Sequence, residues 1–218
     1  MMLSNKQAAD MLALQAGMNA TVDPDWLAAR YPYLRAVVIE GAEAIEHHGW
    51  KWWKLQNLDL AQLQMELIDI WHFVLSDLLL ACEGNTEKAT RVLLRSLADA
   101  SHQLQFDGKT YLFAELDLVS RLELLIGLAV ARRVDLPLFE SIMRECHMDW
   151  DELYRQYVGK NVLNFFRQDH GYKEGTYRKI WGNQEDNEHL VEVLVSLDAR
   201  ADDFQQQLYE SLRIRYRG

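Results

Sequence analysis

The sequence predicts an all-α fold, a helical bundle, and three observations carry that reading. Only three prolines and eleven glycines occur in 218 residues, too few for short strands joined by tight turns. Apolar residues recur at helical spacing along most of the chain. Acidic or hydroxyl residues stand where the periodic runs begin, as helix N-caps do.

Taken in order, Asn5 to Gly17 reads as a short amphipathic helix, and Asp23-Pro24-Asp25 as an acidic, proline-containing helix start. Tyr33 to Glu46 is the third periodic segment. Asp59 caps a long helix that runs to about Cys82, and Thr86, with Glu87 close behind, begins another towards Gln105. Ala114 to about Val130 continues the pattern, and Asp135 with Pro137 opens a helix towards Asp151. After an irregular stretch from Gly171 to Gly182, Glu185 to about Arg213 is periodic enough for a final helix. No repeat, low-complexity run or long linker interrupts the chain, so residues 1–218 are expected to form one all-α domain. The weakest boundaries, Gly84-Asn85 and Asp107-Gly108, leave room for an inserted helical hairpin within about 84–155.

Hydrophobic residues make up 49% of the chain and charged ones 26%, an ordinary globular composition. The apolar run Val74–Cys82 is broken by Asp77 and is shorter than the roughly 18 to 20 residues that span a bilayer, so no membrane partner is expected. The start Met1-Met2-Leu3-Ser4-Asn5-Lys6 lacks the charged and apolar regions of a secretory signal, and a cytoplasmic location is expected. Cys82 and Cys146 lack metal or redox spacing and read as buried, reduced thiols. A net charge of −10 argues against a nucleic-acid polymer as partner, although a small anion can still bind through metal ions.

The helix after Asp59 is the informative one. Leu60, Leu63, Leu67, Ile70, Trp71, Val74 and Leu78 form one stripe, with Met65, Ile68, Leu75 and Leu79 beside it. Little of that helix can face water, yet Glu66 and Asp69, one turn apart, share an arc with Phe73 and Leu80. A charge buried there must be paired, neutralised or bound to metal. Glu40 and Glu43 repeat the spacing among small and apolar neighbours. Four carboxylates from two facing helices would make the oxygen-lined cage that Mg²⁺ accepts. Taken singly, each motif reads equally as a surface i, i+3 pair. The adjacent His47 and His48 point about 100° apart on a helix and cannot clamp one ion together; they read as solvated or capping.

Positive charge gathers late, at Arg155, Lys160, Arg167, Lys173, Arg178 and Lys179, with Gly171, Gly175 and Gly182 nearby. The segment reads either as a charged surface loop or, beside a magnesium cage, as a polyphosphate site. Trp50, Lys51, Trp52, Trp53 and Lys54 form an aromatic cluster; Trp50 and Trp53 read as core, while Trp52 or Phe73 could carry a base or sugar. Gln15 and Asn19, one turn apart, could offer amide groups to one planar edge, as uracil needs.

Leu14-Gln15 with Met18-Asn19, Glu40-x-x-Glu43, Gly49-Trp50-Lys51-Trp52-Trp53-Lys54 and Glu66-x-x-Asp69-x-x-His72-Phe73 occur in one order. The block Lys160 to Lys173, Gly175-Thr176-Tyr177, Trp181 and Glu185-Asp186-Asn187 follow. Together they resemble the dimeric all-α dUTPases, of the wider all-α nucleoside triphosphate pyrophosphatase group. The resemblance implies a four-helix metal-binding core, a homodimer, and hydrolysis of dUTP and dUDP to dUMP by water attack at the α-phosphorus. It places Mg²⁺ on Glu40, Glu43, Glu66 and Asp69, with Glu40, or Glu43 in its place, orienting or deprotonating the water. It also implies that Gln15 and Asn19 read uracil, that Trp52 and Phe73 enclose the base, and that His72 faces the 3′-hydroxyl. Lys160, Asn164, Arg167, Tyr172, Lys173 and Asn187 would hold the phosphates. Two other readings stay open: a pyrophosphatase of the same fold acting on dCTP or on several nucleotides, and a non-catalytic helical protein whose carboxylates pair with lysines or arginines.

Overall fold

The computed structural model of the chain describes residues 2–98, 101–198, 201 and 203–217. Helix α1 (Asn5–Val22) starts at a capping box, in which Ser4 Oγ accepts from the Gln7 amide and the Gln7 side chain accepts from the Ser4 amide. It continues beyond the expected Gly17, so Asn19 lies on its last turns. A single-turn helix α2 (Trp26–Ala29) follows Asp25, whose side chain makes no cap bond. Helix α3 (Tyr33–His48) comes next.

Helix α4 (Leu60–Ala81) is the axis of the molecule. Asp59 caps it as expected, its carboxylate accepting from the Gln62 amide. Residues on nearly every face of α4 are buried, because α3, α1 and two later helices pack around it. Each large apolar side chain so covered contributes about 1.5–3 kcal/mol, which is why this span reads so apolar. Trp71, fully buried, stacks on Phe139 at 4.9 Å between centroids and leans on Trp150 at 5.3 Å, locking α4 to the later half of the chain.

Helix α5 (Thr86–Ala98) ends before the expected Gln105. Gln103–Phe106 (β1) and Lys109–Leu112 (β2) instead pair antiparallel around Asp107-Gly108, both at positive φ. The suspected boundary at Asp107-Gly108 is therefore the turn of a β-hairpin. A 3₁₀ turn (Phe113–Glu115) precedes α6 (Leu118–Val130), so the helix expected from Ala114 starts later, at the cap Asp117. Helix α7 (Leu136–Glu145) stops short of Asp151, and α8 (Trp150–Asp169) begins afresh with Asp149 as its cap. Three of the six basic residues, Arg155, Lys160 and Arg167, thus lie on α8, while Lys173, Arg178 and Lys179 are exposed on the segment that follows it. The strands β3 (Ile180–Trp181) and β4 (Gln184–Glu185) form a second, minimal hairpin.

The expected last helix is two: α9 (Asp186–Ser196) and α10 (Phe204–Arg217). Residues 199, 200 and 202, between them, lie outside the described residues. Phe166, His170, Tyr177, Trp181 and Tyr216 form an aromatic cluster that binds the 171–182 segment to α8 and α10. Among the described residues no helix is long and apolar enough to cross a membrane. Cys82 and Cys146 are free and buried, as expected.

Candidate active site

Four helices meet at the site, and helical periodicity decides which side chains each presents. From α3 come Ala36, Glu40, Glu43 and His47; from α4, Glu66, Asp69, His72, Phe73 and Ser76; from α1, Gln15 and Asn19; from α8, Lys160, Asn164 and Arg167. Gly41 lies between the two glutamates of α3. A Cβ there would stand 2.7 Å from Ile126 Cγ1 of α6, so the missing side chain lets α6 press close behind α3.

The side chains line two chambers that share Glu40, Asp69, Lys160, Arg167 and Tyr172. The acidic chamber, about 790 Å³, also holds Glu43, His47, Glu66, Lys179, Glu185 and Asn187. Glu40, Glu43 and Glu66 each bring a carboxylate oxygen within 4.8 Å of the others. Mg²⁺–oxygen distances of about 2.1 Å would set ligand oxygens roughly 3.0 to 4.2 Å apart, so a small closure suffices. Among the described residues none of the three pairs with Lys or Arg; Glu66 Oε1 stands 3.5 Å from His47 Nε2. Burial, and then the charges of Asp69, Glu66 and Glu43, push the Glu40 carboxyl up to about 8. Burial, with Asp69 and Glu43, likewise raises Glu66 to about 7. Such a cluster gains by taking up a proton or a cation, and its all-oxygen donors suit a hard divalent ion.

Asp69 lies outside this 4.8 Å group, although its charge is the foremost one raising Glu40 and Glu66. Lys160, its side chain almost fully buried, donates to Asp69 Oδ2 at 2.8 Å and to Asn187 Oδ1 at 3.1 Å. Arg167 makes a bidentate pair with the fully buried Asp186 (2.8 and 2.9 Å), donates to Asn164 Oδ1, and lies 5.9 Å from the centroid of the Tyr172 ring. Tyr177 Oη also donates to Asp186. The pairing holds the guanidinium rigidly at the junction of the chambers.

The second chamber, about 580 Å³, suits one nucleoside. Met18, Val22, Trp26, Tyr33 and Phe73 give it apolar walls, and Gln15, Asn19, His72 and Ser76 a polar floor. Gln15 Nε2 donates to Asn19 Oδ1 (3.0 Å) and Ser76 Oγ (2.9 Å), while its Oε1 accepts from His72 Nδ1 (2.7 Å) and Tyr157 Oη (2.9 Å). Every hydrogen-bonding site of Gln15 is used inside the protein. Burial, together with Lys160, lowers the His72 pKa to about 4 despite Asp69, so the ring is neutral with its proton on Nδ1. Two buried atoms on this floor lack partners among the described residues: Asn19 Nδ2, a donor, and His72 Nε2, an acceptor.

The structure places several expected residues differently. Gln15, expected to share with Asn19 the reading of one planar edge, hydrogen-bonds Asn19, Ser76, His72 and Tyr157 on the floor of the chamber. Trp52 is 87% exposed, packs edge-to-face with Trp50 and Trp53, and lines neither chamber; Trp50 and Trp53 are themselves exposed and not core. The base-sized chamber takes its aromatic wall from Trp26, Tyr31 and Tyr33 as well as Phe73. Lys173 lines neither chamber and donates to the Val22 carbonyl at the end of α1. His47, expected to be solvated or capping, reaches Glu66. Sequence reasoning passed over Ser76 and Tyr157 and gave Asp186, quoted within Glu185-Asp186-Asn187, no role. Ser76 had a visible signal, one turn from His72 in an otherwise apolar run, whereas Tyr157 lay among ordinary polar residues.

A family model described as dUTPase matches residues 7–172, which takes in both carboxylate helices and all of α8 and leaves Lys173 and Asn187 beyond its end. No curated protein matches the chain.

Proposed function

The chain belongs to the dUTPase family, hydrolases acting on acid anhydrides, and from that premise we propose that it hydrolyses dUTP, and dUDP with it, to dUMP in these two chambers. The observation that carries the proposal is the pair of unpartnered atoms on the floor of a nucleoside-sized cavity that opens onto three converging carboxylates.

Asn19 Nδ2 would donate to the 4-carbonyl of uracil. Cytosine turns an amino group to the same place, leaving two buried donors face to face. His72 Nε2 would accept from the 3′-hydroxyl, and Phe73 would pack against the 2′ carbon of deoxyribose. Lys160, Asn164, Arg167, Tyr172 and Asn187 would hold the phosphate chain where the chambers meet. Glu40, Glu43, Glu66 and Asp69 would hold Mg²⁺. The ion, when bound, supplies charge neutralisation at the phosphates and acidifies the attacking water. Of the two candidate bases we favour Glu40, because it lines both chambers while Glu43 lines only the acidic one.

We read residues 1–218 as one catalytic unit, with α5 packed on α1 and α6 on α3 and no detachable hairpin between 84 and 155. A homodimer fits the exposed Ile39 of α3 and Val130 of α6, neighbouring helices with apolar surface left over; sedimentation at micromolar concentration should give twice the chain mass. Pyrophosphate release from dUTP, dCTP, dTTP and UTP, measured side by side with Mg²⁺ and with chelator, tests the activity. We expect turnover of dUTP alone, abolished by chelator; equal turnover of dCTP would overturn the base assignment, and no turnover at all would favour a structural role for the carboxylates.

A further inference from the structure

We propose that Lys160 is a built-in stand-in for a second divalent cation: it keeps Asp69 out of the metal cluster until a polyphosphate takes the lysine away. The proposal rests on the carboxylate cage proposed above and adds an order of assembly to it.

Three of the four acidic side chains converge and the fourth does not. What separates them is not distance along the helix, since Glu66 and Asp69 lie one turn apart on α4. Asp69 Oδ2 instead accepts from Lys160 Nζ at 2.8 Å, and the same ammonium donates to Asn187 Oδ1 at 3.1 Å. Lys160 thus ties α4, α8 and α9 together at the point shared by both chambers. Its side chain is 4% exposed against 22% for Asp69, so the ammonium cannot move into water and must stay paired within the site.

A divalent ion on Asp69 would sit beside that ammonium, and two cations at such a separation in a poorly solvated site repel strongly. The nucleotide-free chain is therefore built for one ion, on Glu40, Glu43 and Glu66. A phosphate chain lying between the chambers offers Lys160 a new anionic partner within reach and frees Asp69 for a second ion. Nucleotide and second cation then bind with positive coupling, each raising the affinity for the other by the same factor. The full constellation forms only around its substrate.

Mn²⁺ binding to the nucleotide-free full chain, followed by paramagnetic resonance of the free ion, reads this directly. We expect one bound Mn²⁺ per wild-type chain. Lys160→Met should add a second, or tighten binding by about tenfold, the worth of roughly one charge-assisted hydrogen bond. Asp69→Asn, which keeps an acceptor for the lysine, should bind Mn²⁺ as the wild type does and covers the case in which Lys160→Met fails to fold. The proposal is overturned if folded Lys160→Met keeps wild-type stoichiometry and affinity, or if Asp69→Asn weakens Mn²⁺ binding. Unchanged binding by Glu66→Gln would instead sink the cage itself, a separate failure.

Discussion

At the scale of single residues, the proposed choice of base rests on the direction in which one amide points. Asn19 Oδ1 is held by Gln15 Nε2, which leaves Nδ2 without a partner on a residue that lines the cavity. Asn19→Asp keeps the held oxygen and puts a second acceptor where the donor was. We expect kcat/KM for dUTP to fall about 100-fold or more, with dCTP losing less, because a buried mismatched polar pair costs a few kcal/mol; parallel kinetics on both nucleotides check it. Glu66→Gln separates catalysis from stability. The raised Glu66 carboxyl shows that its neutral form suits the buried site, so the amide should unfold at a temperature no lower than the chelated wild type while turnover is lost. A fall in melting temperature with activity kept would mark Glu66 as a structural ion-pair partner. The residue types of this site were legible in the sequence, since Glu66 and Asp69 could not be solvated on so apolar a helix. The pairing of Asp69 with Lys160, 91 residues further on, was not, because no local pattern records a contact between distant helices.

At the scale of elements, many helix starts are chemically marked, those of the site helices α1, α4 and α8 among them. Asp59, Asp117, Asp135 and Asp149 each cap a helix by accepting a backbone amide. Asp59 lies nearly two turns before Glu66, far enough that its loss should loosen the helix end and leave the chemistry alone. Asp59→Ala should cost about 1 kcal/mol, read as a lower denaturation midpoint with kcat for dUTP unchanged. These caps explain why the long helix after Asp59 was legible to within a residue at its start. The sequence misled where helical composition met a turn. Gln103–Phe106 continues a helix-like run, but Asp107-Gly108 reverses the chain and pairs the flanking residues as strands. The break at 146–149 was hidden for a similar reason, since His147 adopts positive φ without being glycine.

At the scale of the whole molecule, the half-buried Glu40 and the buried Glu66 tie stability to the cation, and the buried His72 adds a pH dependence of its own. Glu40 and Glu66 have folded pKa values near 8 and 7, above the unfolded value of 4.5. Their contribution is complete below that value and is lost as pH rises through the folded ones. His72 works the other way, at about 4 folded against 6.5 unfolded, so it removes stability as pH falls below 6.5. Above pH 6.5 only the glutamates act. The melting temperature of chelated protein should therefore fall between pH 6.5 and 8, and saturating Mg²⁺ should reverse the fall, with a gain that grows with pH. Calorimetry at several pH values checks both signs. The all-α class and the clustering of acids were open to sequence reasoning because both follow from periodicity and burial. The division into a base chamber and an acidic chamber was not, because it arises from how α1 and α8 settle against α4.

The most direct test of the two-chamber account is a crystal structure with Mg²⁺ and α,β-imido-dUTP, whose bridging nitrogen resists cleavage. It should show uracil between Asn19 and Phe73, phosphates between Lys160 and Arg167, and Mg²⁺ on Glu40, Glu43, Glu66 and Asp69. Nucleotide bound away from Asn19 and His72, or metal bound without those three glutamates, would contradict it.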